Sequence, residues 1–406
     1  GDRTAGLESH VAAVGDPLRA PFAIFGLPAT TKVEPLIRCF RFSRFTAKAM
    51  DVVIVDVTRA GRSGLPDDWE GRVAVVLQAL QHVLGRRPPV VALCEDAFAL
   101  RKAVRALRMA NAALRPARRM PLEVGAYLQE PGLIGPSVTL LSRATPIAFE
   151  ADIKDASLAG VRNDLLSLGR KFRDTEHSIG ADAVSRALAF LRRSASLPIG
   201  LREARVITDI LHDSDDEVDV TVRGLFRLKV ALGPLAAAAE LVPELRAEAN
   251  RLITDIERRA VSWEEETPVS AKLMTILQDV VWNSETTALI IPDRRTADVY
   301  LSADRALTVK CMITDARGLS ALLESKQPTR IIIVGPTPDV VRSLLTTTVA
   351  PQRALLLGDA AGVALLSAEV SPVARIEAFA PIAERARALM SALERGGANE
   401  RLDVAE

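Results

Sequence analysis

Four short apolar runs, each followed by a turn and then by helical spacing, constrain what this chain can fold into. Val52-Val-Ile-Val-Asp56 and Val90-Val-Ala-Leu-Cys94 lie in the first half, and Ile331-Ile-Ile-Val-Gly335 and Ala354-Leu-Leu-Leu-Gly358 in the second. Continuous rather than alternating apolar runs of this length indicate strands buried on both faces, and the helical stretches between them indicate crossovers joining parallel strands. Ligands of such sheets bind at the carboxyl ends of the strands. Asp56, Glu95-Asp96, the turn from Gly335 to Asp339 and the turn from Gly358 to Gly362 therefore mark where a site belongs.

The runs are separated by a long segment with almost no strand signal. From about residue 157 to 283 the spacing is helical, with helices expected over Ala181 to Arg193, Leu201 to Leu211, Val220 to Leu232 and Leu235 to Val261. The expected class is α/β, with two Rossmann- or RecA-like parallel-sheet domains separated by an α-helical module. The expected division is an N-terminal α/β domain over 1–155, a helical module over 156–284, a C-terminal α/β domain over 285–394 and a frayed tail over 395–406. At about 150 residues per domain, 406 residues accommodate that layout. Ile147 to Phe149 is expected to complete or edge the first sheet, and Thr308 to Thr314 to supply a strand of the second.

Composition narrows the function classes. With 52 basic and 51 acidic residues the net charge is +1, so no global field draws the chain to nucleic acid or to an anionic membrane, and any basic surface must be local. Cys39, Cys94 and Cys311 lack metal-ligand spacing, which favours a reducing cytoplasm over a disulfide framework. No run reaches the roughly 18 to 20 apolar residues that span a bilayer. A cytoplasmic protein that does not engage a membrane is expected.

The motifs that could carry chemistry are incomplete. Gly26-Leu-Pro-Ala-Thr-Thr31-Lys32-Val33 follows an expected strand at Phe22 to Phe25 and approaches a phosphate-binding loop. It lacks the glycine needed where Thr31 stands and the magnesium-binding hydroxyl needed where Val33 stands. Asp56 ends its strand where a magnesium-binding aspartate would sit, but Val57 follows it, so no carboxylate is at hand to activate water. Gly335, Thr337, Gly358 and Asp359 belong to turns whose helix N-termini suit an anion. Gly26, Lys32, Asp56, Gly335, Thr337, Gly358 and Asp359 are thus the candidate nucleotide-binding residues; a nucleotide is the possible ligand, and no fixed cofactor or metal is expected. Arg101, Lys102, Arg105 and Arg108, with Arg118 and Arg119 beyond, form a basic stripe suited to a phosphate backbone. Arg170, Lys171, Arg173, Arg192 and Arg193 form a weaker set. The run Asp213-Ser-Asp-Asp-Glu-Val-Asp219 reads as a solvated turn, since it lacks the glycine and terminal glutamate of a calcium loop. His10, His82, His177 and His212 form no recognisable constellation, and no catalytic residue is assigned.

The order of Phe22 to Lys32, Val52 to Asp56, Val90 to Asp96, a helical insertion and a second α/β unit from Ala288 resembles the two RecA-like lobes of a superfamily 2 helicase. Thr31, Val33 and Val57 depart from that family's ATPase motifs, and Cys94-Glu-Asp stands where Ser-Ala-Thr belongs. The resemblance implies a helicase-like scaffold or nucleic-acid-binding subunit without ATP hydrolysis, working with protein partners, and with DNA as its candidate ligand, in a bacterial DNA-processing or phage-defence complex. Two other readings fit the residues: a small-molecule enzyme with a nucleotide or nucleotide-sugar site, and an interaction scaffold that binds no nucleic acid.

Overall fold

The computed structural model describes residues 11–13, 23–25, 32–42, 52–58, 69–86, 88–94, 96–112, 145–154, 157–175, 177–211, 224–376 and 379–403. The chain divides into two compact units, residues 1–129 and 130–406. The class is mixed α/β, as the apolar runs require.

In the first unit β1 (Val11–Ala13) and β2 (Ala23–Phe25) pair antiparallel, while β3 (Val53–Asp56) and β4 (Val90–Leu93) pair in parallel, Val53 opposite Val90 and Asp56 opposite Leu93. Between them run α1 (Val33–Phe42) and α2 (Trp69–Leu84), and α3 (Ala97–Ala112) follows β4. Helix α2 ends where the sequence places a stop: Gly85 takes the left-handed conformation at φ +66°, with open space where a side chain would go. Its Trp69, Val73 and Leu77 pack with Ala103, Ala106 and Ala110 of α3, and its Ala79 and Leu80 with Leu36, Ile37 and Phe40 of α1. Alanines at 103, 106 and 110 let α3 approach closely and turn its long basic side chains to the other face.

The second unit is built on five parallel strands in the order β5-β9-β8-β6-β7, where β5 is Ala148–Lys154, β6 Thr287–Ile290, β7 Met312–Thr314, β8 Arg330–Val334 and β9 Arg353–Asp359. Ile331 to Val334 and Ala354 to Asp359 are buried throughout, the pattern of central strands. Strand β5 instead alternates, with Phe149 and Ile153 buried and Ala148 and Glu150 exposed, as an edge strand should. Its partner is β9, so the run at Ile147 to Phe149 edges this sheet and not the first one, where the sequence reading placed it. Only Met312–Thr314 of the expected strand over Thr308 to Thr314 is extended; Asp304–Thr308 winds into a 3-10 turn.

The helical segment lies between β5 and β6. It comprises α4 (Leu158–Asp174), α5 (Ser178–Ala195), α6 (Leu201–Leu211), α7 (Leu228–Leu241), α8 (Pro243–Ser262) and α9 (Pro268–Leu277). Where one helix was expected over Leu235 to Val261 the chain breaks at Val242, because Pro243 disfavours helical backbone before it and suits the first position of the next helix. Pro234 sits inside α7 without ending it. Leu165, Phe172, Phe190, Leu235 and Leu252 of these helices share one buried core with Leu289, Ile291, Ile332, Val334, Leu355 and Leu357. Those sheet residues are alternate positions on three adjacent strands, so the helices cover one face of the sheet and hold its strand ends in place.

The remaining helices are α10 (Arg294–Leu301), α11 (Leu319–Lys326), α12 (Pro338–Thr346), α13 (Ala360–Val370) and α14 (Ala380–Asp403). Helix α14 continues to Asp403, well into the segment expected to fray. A side chain at Gly396 would come within 2.5 Å of the Ala151 carbonyl oxygen, so the helix lies directly on β5 there. Arg385 anchors it: this guanidinium, 3% exposed, donates to the carbonyls of Thr145, Leu345 and Thr347.

Candidate functional site

In the second unit the chain runs from β6 outward to β7, then returns past β6 to β8 and on to β9. The direction of winding therefore reverses between β6 and β8, and a crevice opens at the carboxyl ends of strands at such a point. A cleft of about 80 Å³ lies there, walled by the ends of β6, β8 and β9 and by the last turn of α5.

Each strand end meets the cleft through its turn. After β6, Asp293 caps α10, its Oδ2 accepting from the Thr296 backbone N–H at 3.1 Å and hydroxyl at 2.7 Å. After β9, Asp359, 3% exposed, caps α13, its Oδ1 accepting from the N–H groups of Ala361 at 2.8 Å and Gly362 at 2.9 Å. After β8, Gly335 turns the chain at φ +64° and donates its N–H to the Leu357 carbonyl at 2.8 Å. A side chain at Gly335 would meet Ser196 Cβ at 2.6 Å, so glycine lets α5 and the β8 turn touch. Thr337 precedes α12, but its side chain makes no capping bond.

Arg192 and Arg193 close the cleft from the last turn of α5, where the negative end of the helix dipole favours cations. Arg193 Nε stands 3.6 Å from Asp293 Oδ2. Burial pulls the Arg193 guanidinium below the usual arginine range while Asp293 opposes that shift; an arginine stays charged at neutral pH regardless. Formal charges nearly cancel in the cleft, yet the two carboxylates are turned into helix N-termini whose partial positive charge compensates them. The guanidinium donors thus remain the groups a ligand would meet.

The sequence-derived residues separate accordingly. Gly335, Thr337 and Asp359 line the cleft, and Gly358 lies directly behind it, with space for a side chain closed by Pro336 Cδ at 3.2 Å. Asp56 and Lys32 belong to the first unit. Asp56 is exposed and accepts from the Thr58 N–H at 3.0 Å and hydroxyl at 2.6 Å, which makes it a turn residue, and Lys32 is exposed beside α1. Gly26, Glu95, Arg118, Arg119 and the acidic run from Asp213 to Asp219 lie outside the described residues. Asp96 is buried and caps α3 through the Ala99 N–H at 2.7 Å. His177 likewise caps α5, its Nδ1 accepting from the Gly180 N–H at 3.0 Å. Burial pushes the Cys311 thiol up, away from nucleophilic thiolate, and it donates to the Trp282 carbonyl.

On α3, Arg105 and Arg108 are exposed and Arg101 and Lys102 half-exposed on the face away from the buried alanines. Glu70 of α2 lies 3.9 Å from Lys102 and 3.6 Å from Arg105. Arg105 and Arg108 are the exposed basic residues of this face.

Sequence reasoning ranked Arg192 and Arg193 low and passed over Asp293 and Ser196. The available signal was Pro292-Asp293-Arg-Arg-Thr296, an N-cap aspartate directly after an apolar strand. Ser196 had none, since its contact with Gly335 joins residues 139 positions apart. Comparison with protein-family models and with curated proteins returns no match. Among the described residues no group of three or more His, Cys, Asp or Glu side chains is placed to hold a metal ion, and no helix is long and apolar enough to cross a membrane.

Proposed function

We propose that this chain is a non-hydrolysing, phosphate-recognising component of helicase-like layout, whose cleft between β6, β8 and β9 takes the phosphoryl end of a ligand. One observation carries the reading: two arginines, Arg192 and Arg193, line a cleft with the strand-end turns at the reversal of a parallel sheet, beside a Thr337 hydroxyl that makes no capping bond. Guanidinium donors match phosphate oxygens.

Magnitude decides how much of a ligand is enclosed. Small-molecule sites enclose about 300 to 1,000 Å³, whereas this cleft offers about 80 Å³. That suits one phosphate group, with the rest of a nucleotide or nucleotide sugar left in solvent. Hydrolysis finds little support, since Asp293 and Asp359 are engaged as helix caps and are poorly placed to hold magnesium or activate water. In a thermal-shift series with inorganic phosphate, pyrophosphate, AMP and ADP at millimolar concentration, at least one phosphate ligand is expected to raise the melting temperature by about 2 to 4 °C. Arg193→Gln abolishes that shift. A shift of the same size in the variant, or none with any ligand, overturns the reading.

A second reading is favoured by the α3 stripe, which would bind the backbone of DNA as a subunit of a bacterial DNA-processing or phage-defence complex. Salt-sensitive binding of duplex DNA is expected to weaken about tenfold in the Arg101→Glu/Arg105→Glu variant, measured by fluorescence anisotropy in about 50 mM salt. Equal affinity in the variant removes the stripe from the account.

A further inference from the structure

The ionic side chains lining the cleft between β6, β8 and β9 are Arg192, Arg193, Asp293 and Asp359, and they are not equally committed. Asp359 is 3% exposed, and its Oδ1 is occupied by the N–H groups at the start of α13. Asp293 caps α10 through Oδ2 alone, which accepts from the Thr296 N–H and hydroxyl and stands 3.6 Å from Arg193 Nε. Among the described residues no donor bonds its other oxygen, Oδ1, and the side chain is 44% exposed. The Arg192 guanidinium likewise has no hydrogen bond or ion pair among the described residues, and the Thr337 hydroxyl has no capping bond.

A carboxylate oxygen open to a ligand is a selective wall for an anion site. It offers lone pairs only, so a ligand oxygen without a hydrogen meets it acceptor against acceptor and charge against charge. Because Asp293 and Arg193 are neighbours in a cleft of about 80 Å³, a tetrahedral anion bound to that guanidinium also lies beside the carboxylate. The conflict is removed when one ligand oxygen carries a hydrogen. A P–O–H group then donates to Asp293 Oδ1, while the bare oxygens accept from Arg192 and Arg193. Inorganic phosphate keeps such a hydrogen at neutral pH; sulfate, of the same shape, has none.

We propose that Asp293 makes the cleft specific for a phosphate that bears a P–O–H group, so that it takes inorganic phosphate, or a terminal phosphate in its protonated form, and rejects sulfate. The inference rests on the phosphate-recognising reading of this cleft and narrows it. The internal phosphates of a nucleotide sugar carry no such hydrogen and are disfavoured. Rejection here comes from an unpaired, like-charged contact built against the wrong ligand, a common source of specificity.

The test is titration calorimetry of sodium phosphate and sodium sulfate into the full chain at about pH 8, where phosphate is mostly the hydrogen-phosphate dianion and matches sulfate in charge. Wild type is expected to bind phosphate at least about tenfold tighter than sulfate. In Asp293→Asn the amide keeps an acceptor for the cap and adds donors, so the ratio is expected to fall to about one, chiefly through tighter sulfate binding. Asp293→Ser, which also preserves a capping oxygen, is expected to lose the preference too and covers the case of an asparagine variant that folds poorly. Equal affinities in wild type, or a phosphate preference that survives in either folded variant, overturn the proposal and leave the phosphate-recognising cleft standing. Binding of neither anion to wild type overturns both.

Discussion

Replacing Arg385 with methionine is expected to destabilise the second unit by about 3 to 5 kcal/mol, the range for stranding buried polar groups that shared one charged partner. Four donor contacts from this guanidinium, at 2.7 to 3.1 Å, reach the carbonyls of Thr145, Leu345 and Thr347. Leu345 and Thr347 stand at the carboxyl end of α12, where a cation also meets the negative end of the helix dipole. Thr145 leads into β5. One side chain thereby ties α14 to the edge strand and to the helix that follows the β8 turn. Methionine fills much of the volume but leaves the carbonyls without a donor. Arg385→Lys recovers only part of the loss, because a single ammonium does not span three carbonyls as a planar fork does. Urea denaturation of wild type and both variants measures this directly. A loss below about 1 kcal/mol for the methionine variant would mean that water replaces the guanidinium and the anchor is not structural.

Gly335→Ala is expected to cost about 3 kcal/mol, from left-handed backbone strain of about 1 to 2 kcal/mol and from overpacking against α5. The added methyl would lie 2.6 Å from Ser196 Cβ and 2.8 Å from its hydroxyl oxygen, closer than such atoms approach. Gly85 supplies a contrast, since its φ is +66° with nothing near the new methyl, and Gly85→Ala should cost only the strain, about 1 to 2 kcal/mol. Ser196→Gly relieves the clash but not the strain, so the double variant Gly335→Ala/Ser196→Gly should recover about 1 kcal/mol or more relative to additivity. Because Ser196 follows Arg192 and Arg193, the single variant should also displace the cleft wall and weaken ligand binding. Equal costs for the alanines at 85 and 335 would contradict the close contact between α5 and the β8 turn.

What could be read from the sequence follows the range of the forces involved. Ile331 to Val334 and Ala354 to Leu357 announce buried parallel strands because local burial alone dictates their residue types. Helix α2 ends at Gly85 as read, because a left-handed stop is a local event. The turns at Gly335, Thr337 and Asp359 were located by the same local logic, and the ends of β8 and β9 bring them to one cleft. Strand pairing is not local: nothing within Ala148–Lys154 says that its partner is β9, some 200 residues later. The same holds for Arg192 and Arg193, which look like any solvated helix end until α5 is packed on the sheet. The continuation of α14 past Arg395 was also hidden, since it depends on Gly396 lying against the Ala151 carbonyl.

The central claim, that the reversal of the parallel sheet creates a phosphate-recognising cleft, is tested most directly by titration calorimetry of ADP and pyrophosphate into the wild-type chain and into Arg192→Gln/Arg193→Gln. These substitutions keep a polar, unbranched side chain but shorten it and remove the charge and the guanidinium fork. The account predicts binding of at least one ligand with Kd below about 1 mM, weakened at least about tenfold in the double variant, and no hydrolysis of ATP in the same buffer with magnesium. Equal affinity in wild type and double variant, or no heat from either ligand at about 10 mM, would contradict it.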